Sequence, residues 1–147
     1  MEEQTTGCLV CGAPLEYFPS QIEMECTYCH KTFMSNARCV NGHFICDSCH
    51  EQMGLRVIED ICRHTDSKDP VAIMKKIILS PYIYMHGPEH HVLVGSALLA
   101  AYKNAGGELD LDAALEEMRN RGAQVPGGIC GLWGTCGAAV STGILSA

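Results

Sequence analysis

Residues 39–50 read CVNGHFICDSCH, and these twelve positions contain three cysteines and two histidines. Two further C-x2-C pairs precede this stretch, at Cys8/Cys11 and at Cys26/Cys29. A C-x2-C turn presents two thiolates to one metal ion, and two such turns complete a tetrahedral site. The stretch and the two pairs together therefore predict a metal-binding N-terminal region.

The predicted ligand set serves two zinc ions and consists of seven cysteines and one histidine: Cys8, Cys11, Cys26, Cys29, Cys39, His43, Cys46 and Cys49. In a sequential pairing, the first two C-x2-C pairs form a zinc ribbon and the last four ligands form the second site. In an interleaved pairing, the first pair joins the third and the second joins the fourth. The C-x3-H-x2-C-x2-C run resembles the middle of a RING-type cross-brace. The sequence slightly favours the interleaved pairing, but both pairings stay open.

Two other uses of the cysteines are weaker. Residues 26–30 and 46–50 both match C-x-x-C-H, the attachment pattern of c-type haem. Haem would leave the remaining cysteine pairs unexplained, and the polar start MEEQTTG lacks the features of an export signal. Iron, or an iron–sulfur cluster held by cysteines, remains an alternative at a further site.

Composition limits the class of protein. The chain has 147 residues, 47% of them hydrophobic, which argues against disorder. Its formal net charge of −7 disfavours nucleic acid as the main partner, since phosphate binding requires clustered Lys and Arg. No apolar run approaches the roughly 20 residues of a membrane span. We therefore expect a cytoplasmic protein with reduced thiols.

The expected fold class is α+β and mostly α. Eight of the ten cysteines precede residue 63, and this shift in composition divides the chain into a zinc-binding module at 1–50 and a helical domain at 51–147. The module is predicted to be zinc-ribbon-like or RING-like with short hairpins, and the domain to have four to five helices. The predicted helices cover 47–64, 70–80, 88–105, 110–121 and the segment after the glycine-rich run at 126–137. The apolar C-terminus without a cap suggests that the domain continues beyond residue 147.

A second group of chemically active residues lies in the helical domain. The stretches MHGPEHH (85–91) and GICGLWGTCG (128–137) provide the candidates His86, Glu89, His90, His91, Cys130 and Cys136. If the two stretches approach each other, they form a further metal site or a thiol site. If the loop runs to Thr135, Cys136 lies at a helix N-terminus, which lowers the pKa of a thiol. The alternative is structural: capping histidines and glycines for tight packing. Trp133 and Cys62 are expected in the hydrophobic core.

The quoted segments resemble the uncharacterised prokaryotic cysteine-rich family called domain of unknown function 5714. The resemblance includes CLVCGAPLEY, MECTYCHKTF, NGHFICDSCH, MHGPEHHVLVGSALLAAYKNAGG and VPGGICGLWGTCGAA. The tail, with Gly134-Thr-Cys-Gly-Ala-Ala139, is similar more weakly to glycine–cysteine motif proteins to which a redox role is attributed. The first resemblance implies a prokaryotic source and a methyltransferase as a partner, but it implies no reaction.

The sequence thus supports two functional hypotheses. The first is a cytoplasmic zinc protein whose second His/Cys site carries out redox, sulfur or metal-dependent transfer chemistry, working with a methyltransferase. The second is a non-enzymatic adaptor whose zinc module mediates protein–protein interaction.

Overall fold

The computed structural model describes residues 7–84 and 87–147. The predicted fold class is confirmed: one two-stranded antiparallel hairpin is followed by helices, and the cysteine-rich N-terminal part fits a zinc-ribbon-like module. The chain divides into two compact units between Gln52 and Met53.

The hairpin is the framework of the first unit. Strand β1 (Leu15–Glu25) pairs with β2 (Thr32–Cys39), from Leu15 opposite Cys39 to Glu25 opposite Thr32. The register shifts between Tyr17 and Ile22, around Pro19. Proline cannot donate a ladder hydrogen bond, so an irregularity at this point is expected.

Six helices follow in the described residues, rather than the four to five expected after the module. They are α1 (Asp47–His64), α2 (Pro70–Ile78), α3 (His90–Asn104), α4 (Leu111–Gly122), α5 (Ile129–Trp133) and α6 (Gly137–Ser146). The Asp69 and Asp110 side chains accept hydrogen bonds from the N–H groups of Val71 and Ala113, at 2.9 and 3.1 Å, and so begin α2 and α4. The additional helix is α5, a short segment within the glycine-rich run.

The core of the second unit is hydrophobic and surrounds α3. Ile58, Ile77, Leu93 and Leu115 are fully buried in it. Cys62 belongs to the same core, as expected from its position on the apolar face of α1. Burying aliphatic side chains of this size stabilises a fold by roughly 1.5–3 kcal/mol each.

The expectation for Trp133 was wrong. Its side chain is 70% exposed, and the neighbouring Leu132 is 81% exposed. Gly128 and Gly134 bound α5 with positive φ angles of 77° and 66°. None of the five residues of α5 is buried, so this short helix has no face in the core. The apolar sequence of this segment therefore does not indicate a core position.

Helices α3 and α6 pack closely because small residues face each other. The Gly95 N–H donates a 2.9 Å hydrogen bond to the buried Ser141 hydroxyl. A Cβ at Gly95 would lie 2.5 Å from the Met118 terminal methyl and 3.2 Å from the Ser141 carbonyl oxygen. Gly137 at the start of α6 adjoins His90 and His91 at the start of α3. The two helices therefore begin at the same end of the unit.

Gly95→Ala should destabilise the second unit by about 1–3 kcal/mol, because the displaced Met118 and Ser141 outweigh a helix-propensity gain of ~1 kcal/mol. Gly143→Ala is the matched control, since this α6 glycine has open space around it and should gain up to ~1 kcal/mol. Urea denaturation followed by circular dichroism measures both. Equal stability of the two variants would contradict the described α3–α6 contact.

Candidate metal centres and thiol pocket

The first cluster of ligand-type atoms joins Cys8, Cys11, Cys39 and His43, whose sulfur and nitrogen atoms all lie within 4.8 Å of one another. The Cys8 Sγ is 3.8 Å from the His43 Nδ1, and the Cys11 Sγ is 3.5 Å from the Cys39 Sγ. Cys8 and Cys11 come from the turn before β1. Cys39 ends β2, and His43 follows the turn after it.

The second cluster joins Cys26, Cys29, Cys46 and Cys49 within the same limit of 4.8 Å. The Cys29 and Cys46 Sγ atoms are 3.8 Å apart. Cys26 and Cys29 lie in the turn that connects the two strands. Cys46 directly precedes α1, and Cys49 is in its first turn. The helix start therefore supplies half of this cluster.

The clusters follow the interleaved pairing, and the hairpin explains why. The strand register places Cys39 opposite Leu15, next to the first C-x2-C turn, and the Val40 N–H donates to the Pro14 carbonyl at 3.1 Å. The chain then passes to the other end of the hairpin. There the Thr27 N–H donates to the Phe44 carbonyl at 2.7 Å, and the Cys46 N–H lies 3.3 Å from the Cys26 Sγ.

Three turns place a residue with positive φ three or four positions after their first cysteine. Gly12 and Gly42 have φ angles of 72° and 87°, as the predicted tight turns require. His30 occupies the same place in the second turn, with φ 59°, and its N–H donates to the Cys26 carbonyl as that of Gly12 does to Cys8. Sequence reasoning missed this role of His30. Its position four residues after Cys26, like Gly12 after Cys8, is the signal.

Hydrogen bonds from backbone and side-chain N–H groups stabilise the thiolate form of some of the cysteines. Hydrogen bonds from the Ala13 N–H and the Asn41 amide lower the pKa of the Cys11 thiol to about 6. Burial opposes the Cys26 thiolate, but the N–H groups of Cys46, Cys29 and Tyr28 outweigh it and lower the pKa of Cys26 to about 6. Sequence reasoning also missed Asn41, which directly precedes Gly42.

Other thiols in the clusters are disfavoured as anions. Burial, followed by the crowding of the Cys46 and Cys29 thiols, raises the pKa of Cys49 to about 12. Burial also raises the pKa of Cys39 and of Cys46. Four ligands this close cannot all lose their protons unless a cation compensates the charge.

The separations fit a tetrahedral ion. With bonds of roughly 2.0–2.3 Å to nitrogen and sulfur, tetrahedral geometry places ligand atoms about 3.3–3.8 Å apart. The separations of 3.5 and 3.8 Å in the two clusters agree with this requirement. Two groups of cysteine and histidine in the described residues could therefore hold metal ions, and no other described group brings three such residues together.

A pocket of about 770 Å³ lies at the starts of α3 and α6 in the second unit. Its lining includes His90, His91, Cys130 and Cys136, together with several glycines, and none of the described lining residues is acidic. The chain as a whole has a net charge of −7. The pocket lining thus combines imidazole and thiol groups without a carboxylate, although the chain as a whole is acidic.

The two sequence stretches with candidate residues meet in this pocket. The His91 Nε2 is 3.3 Å from the Cys130 Sγ, although 39 residues separate them in the chain. His90 Nε2 is 2.6 Å from the Tyr84 carbonyl oxygen, so His90 has its donor directed at the backbone. Both histidines lie in the first turn of α3.

Cys136 is the N-cap residue of α6 and is exposed. The N–H groups of Ala139 and Ala138 lower the pKa of its thiol. The loop before α6 does run through Thr135, as the sequence condition requires, although α5 occupies an earlier part of the glycine-rich run. Cys130 and Cys136 are both free thiols and line the same pocket.

Of the two remaining candidates, Glu89 is described and is not part of this contact. Glu89 is 1% exposed, does not line the pocket, and its Oε1 accepts a 3.2 Å hydrogen bond from the Tyr84 N–H. Its carboxylate lies against Gly87, so its role is to hold the segment before α3. His86, and with it the H-x-x-E-H pattern, lies outside the described residues.

The fold and the sites define a cysteine-rich chain with two clusters that could bind metal and a separate helical unit that carries thiols. Residues 58–147 match the model of a family of unknown function, DUF5714, and the chain belongs to this family. The match begins within α1, so the N-terminal cysteine motifs lie outside the matched residues. Comparison with curated proteins and with solved structures gave no match. Among the described residues, no helix is long and apolar enough to span a membrane.

The thiol of Cys136 should react with iodoacetamide much faster than that of Cys62 at neutral pH. Because helix N–H groups lower the pKa of Cys136, its reactivity should persist below the pH at which a free thiol loses reactivity, and fall as pH drops through the lowered pKa. Cys62 is the control, since burial raises its pKa to about 12. Peptide mass spectrometry after timed alkylation measures both, and equal rates would contradict the assignment.

Proposed function

We propose that the protein is a zinc protein in which two zinc ions hold the N-terminal module and the second unit carries a thiol site. The observation that carries this proposal is the convergence of eight cysteine and histidine ligands into two groups of four. Zinc suits three or four thiolates with at most one imidazole, in a closed tetrahedral shell. The burial of Cys26, Cys39 and Cys46 supports structural rather than catalytic zinc.

The residues around the clusters would stabilise the ligands in their metal-binding form. The Val10 and Asn41 N–H groups lie 3.4 and 3.3 Å from the Cys8 and Cys39 sulfur atoms. Such hydrogen bonds offset part of the negative charge of a sulfur-rich site. When bound, the ions supply folding free energy that this module lacks.

The thiol site lies in the pocket of the second unit. His91 is placed to exchange a proton with Cys130, and the exposed Cys136 is placed to meet an incoming ligand. The thiol alternative is favoured over a further metal because the described residues of the pocket include no group of three converging His, Cys, Asp or Glu ligand atoms. Redox or sulfur-transfer chemistry is the reaction class that such thiols support.

The adaptor function remains the second candidate, and the exposed apolar side chains of the hairpin and of the turn after it favour it. Tyr17, Met34 and Val40 are 73%, 57% and 51% exposed. Exposed aromatic and aliphatic residues of this kind are typical of protein-binding surfaces. A methyltransferase partner and a cytoplasmic location stay predictions, which co-purification and cell fractionation would test.

Anaerobically purified protein should contain about two zinc ions per chain, because each closed cluster has four ligands. Cys39→Ser should lower the content to about one ion, since this residue belongs to one cluster only. Cys62→Ala is the control and should leave the content unchanged. Elemental analysis with an absorption spectrum makes the measurement, and an iron–sulfur spectrum would contradict zinc.

The same measurement separates the candidate functions. Cys130→Ala and His90→Ala should leave the zinc content at the value of the unchanged chain. A third metal ion that either substitution removes would show that the pocket is a metal site instead of a thiol site. Unchanged zinc together with an unreactive Cys136 would favour the adaptor.

A further inference from the structure

The pocket brings two cysteines of unequal character to one place. Cys136 is exposed and is the N-cap residue of α6. Cys130 is half-buried and contacts His91 at 3.3 Å. An accessible thiol and a second thiol next to a proton acceptor are the two parts that thiol–disulfide exchange requires.

We propose that Cys136 and Cys130 form a dithiol pair that reduces disulfide bonds of small anionic molecules, with Cys136 as the attacking thiol and Cys130 as the resolving thiol. This inference rests on the thiol site proposed above and names its substrate class and the order of its steps.

The chain between the two cysteines has the freedom that the second step needs. A disulfide requires Cα atoms within about 7 Å. The Thr135 N–H donates to the Cys130 carbonyl at 3.0 Å, which folds the segment back on itself. Gly134 has a positive φ of 66°, and a Cβ at Gly137 would lie 4.0 Å from the Cys130 Sγ. Because α5 has no buried residue, Cys130 can move towards Cys136 without disturbing the core.

The reaction balances without a bound cofactor. The Cys136 thiolate attacks one sulfur of the substrate, the substrate S–S bond breaks, and a mixed disulfide forms while one thiolate leaves and takes a proton from solvent. His91 then accepts the proton of Cys130, whose sulfur attacks Cys136. The second substrate thiol leaves with that proton, and a Cys130–Cys136 disulfide remains. Two electrons pass from the cysteines to the substrate, and an external dithiol returns them.

The surroundings of the pocket favour an anionic substrate. The first turns of α3 and α6 lie side by side, with Gly137 next to His90 and His91. Helix N-termini carry partial positive charge and attract anions, and α6 has no acidic residue in its first turn, whereas Glu89 is at the start of α3. The described lining contains two histidines and no carboxylate, in a chain with a net charge of −7. A carboxylate-bearing disulfide should therefore react faster than a cationic one.

The test uses the full chain, reduced and metal-loaded, with dithiodipropionate as the anionic probe and cystamine as the cationic probe. Cys130 and Cys136 both lie in the tryptic peptide that follows Arg121. We expect this peptide to lose the mass of two hydrogens while two small thiols are released, and we expect the anionic probe to react at least ~10-fold faster.

Three variants assign the roles. Cys130→Ser should retain the probe on Cys136 as a stable mixed disulfide, because the resolving thiol is missing. Cys136→Ser should slow the reaction at Cys130 by ~10-fold or more, since the accessible thiolate is lost. Cys62→Ala should behave as the unchanged chain, because Cys62 belongs to the core of the unit.

Several outcomes would overturn the inference. They are two probe adducts without an internal disulfide, a Cys136→Ser variant that reacts as fast as the unchanged chain, a preference for cystamine, or a metal ion bound by the pocket cysteines. Zinc content is measured on the same samples. If the chain holds about two zinc ions and Cys136 is reactive but no internal disulfide forms, this inference alone is overturned. A low zinc content or an unreactive Cys136 would instead overturn the proposed function.

Discussion

The N-terminal unit has almost no hydrophobic core, and this constraint determines the rest of its structure. From residue 7 to residue 50 the buried residues are Cys8, Met24, Cys26, Cys39, Cys46 and His50. Four of these six are cysteines of the two clusters. A hairpin of two strands is at best marginally stable in water by itself. We therefore propose that sulfur–metal bonds take the place that aliphatic packing has in other small folds.

The second unit is stabilised by a hydrophobic core instead. Its helices bury aliphatic side chains around α3, and the contact between α3 and α6 uses Gly95 and Ser141. That contact also has a functional consequence. Because α6 packs beside α3 with both helices starting at the same end, Cys136 and the histidines of α3 line one pocket. The packing of two helices thus positions the proposed thiol site.

Local sequence patterns predicted the elements better than the long-range arrangement. Asp69 and Asp110 identified helix starts because an N-cap acts on the two or three residues that follow it. The C-x2-C spacings identified the ligand-type residues because this pattern, too, depends only on residues that are neighbours in the sequence. The pairing of the clusters stayed open, because it depends on the hairpin register that brings Cys39 next to Pro14 and Leu15. Trp133 was misassigned because apolar character gives no information on whether a partner surface exists.

The central claim is that metal bonds hold the first unit together, and removing the metal tests it most directly. Amide resonances of the reduced protein are recorded by two-dimensional NMR before and after an excess of chelator under anaerobic conditions. We expect the resonances of the hairpin, Leu15–Cys39, to lose their dispersion, while those of α3 and α4 remain in place. A hairpin whose resonances are unchanged in metal-free protein would contradict the account.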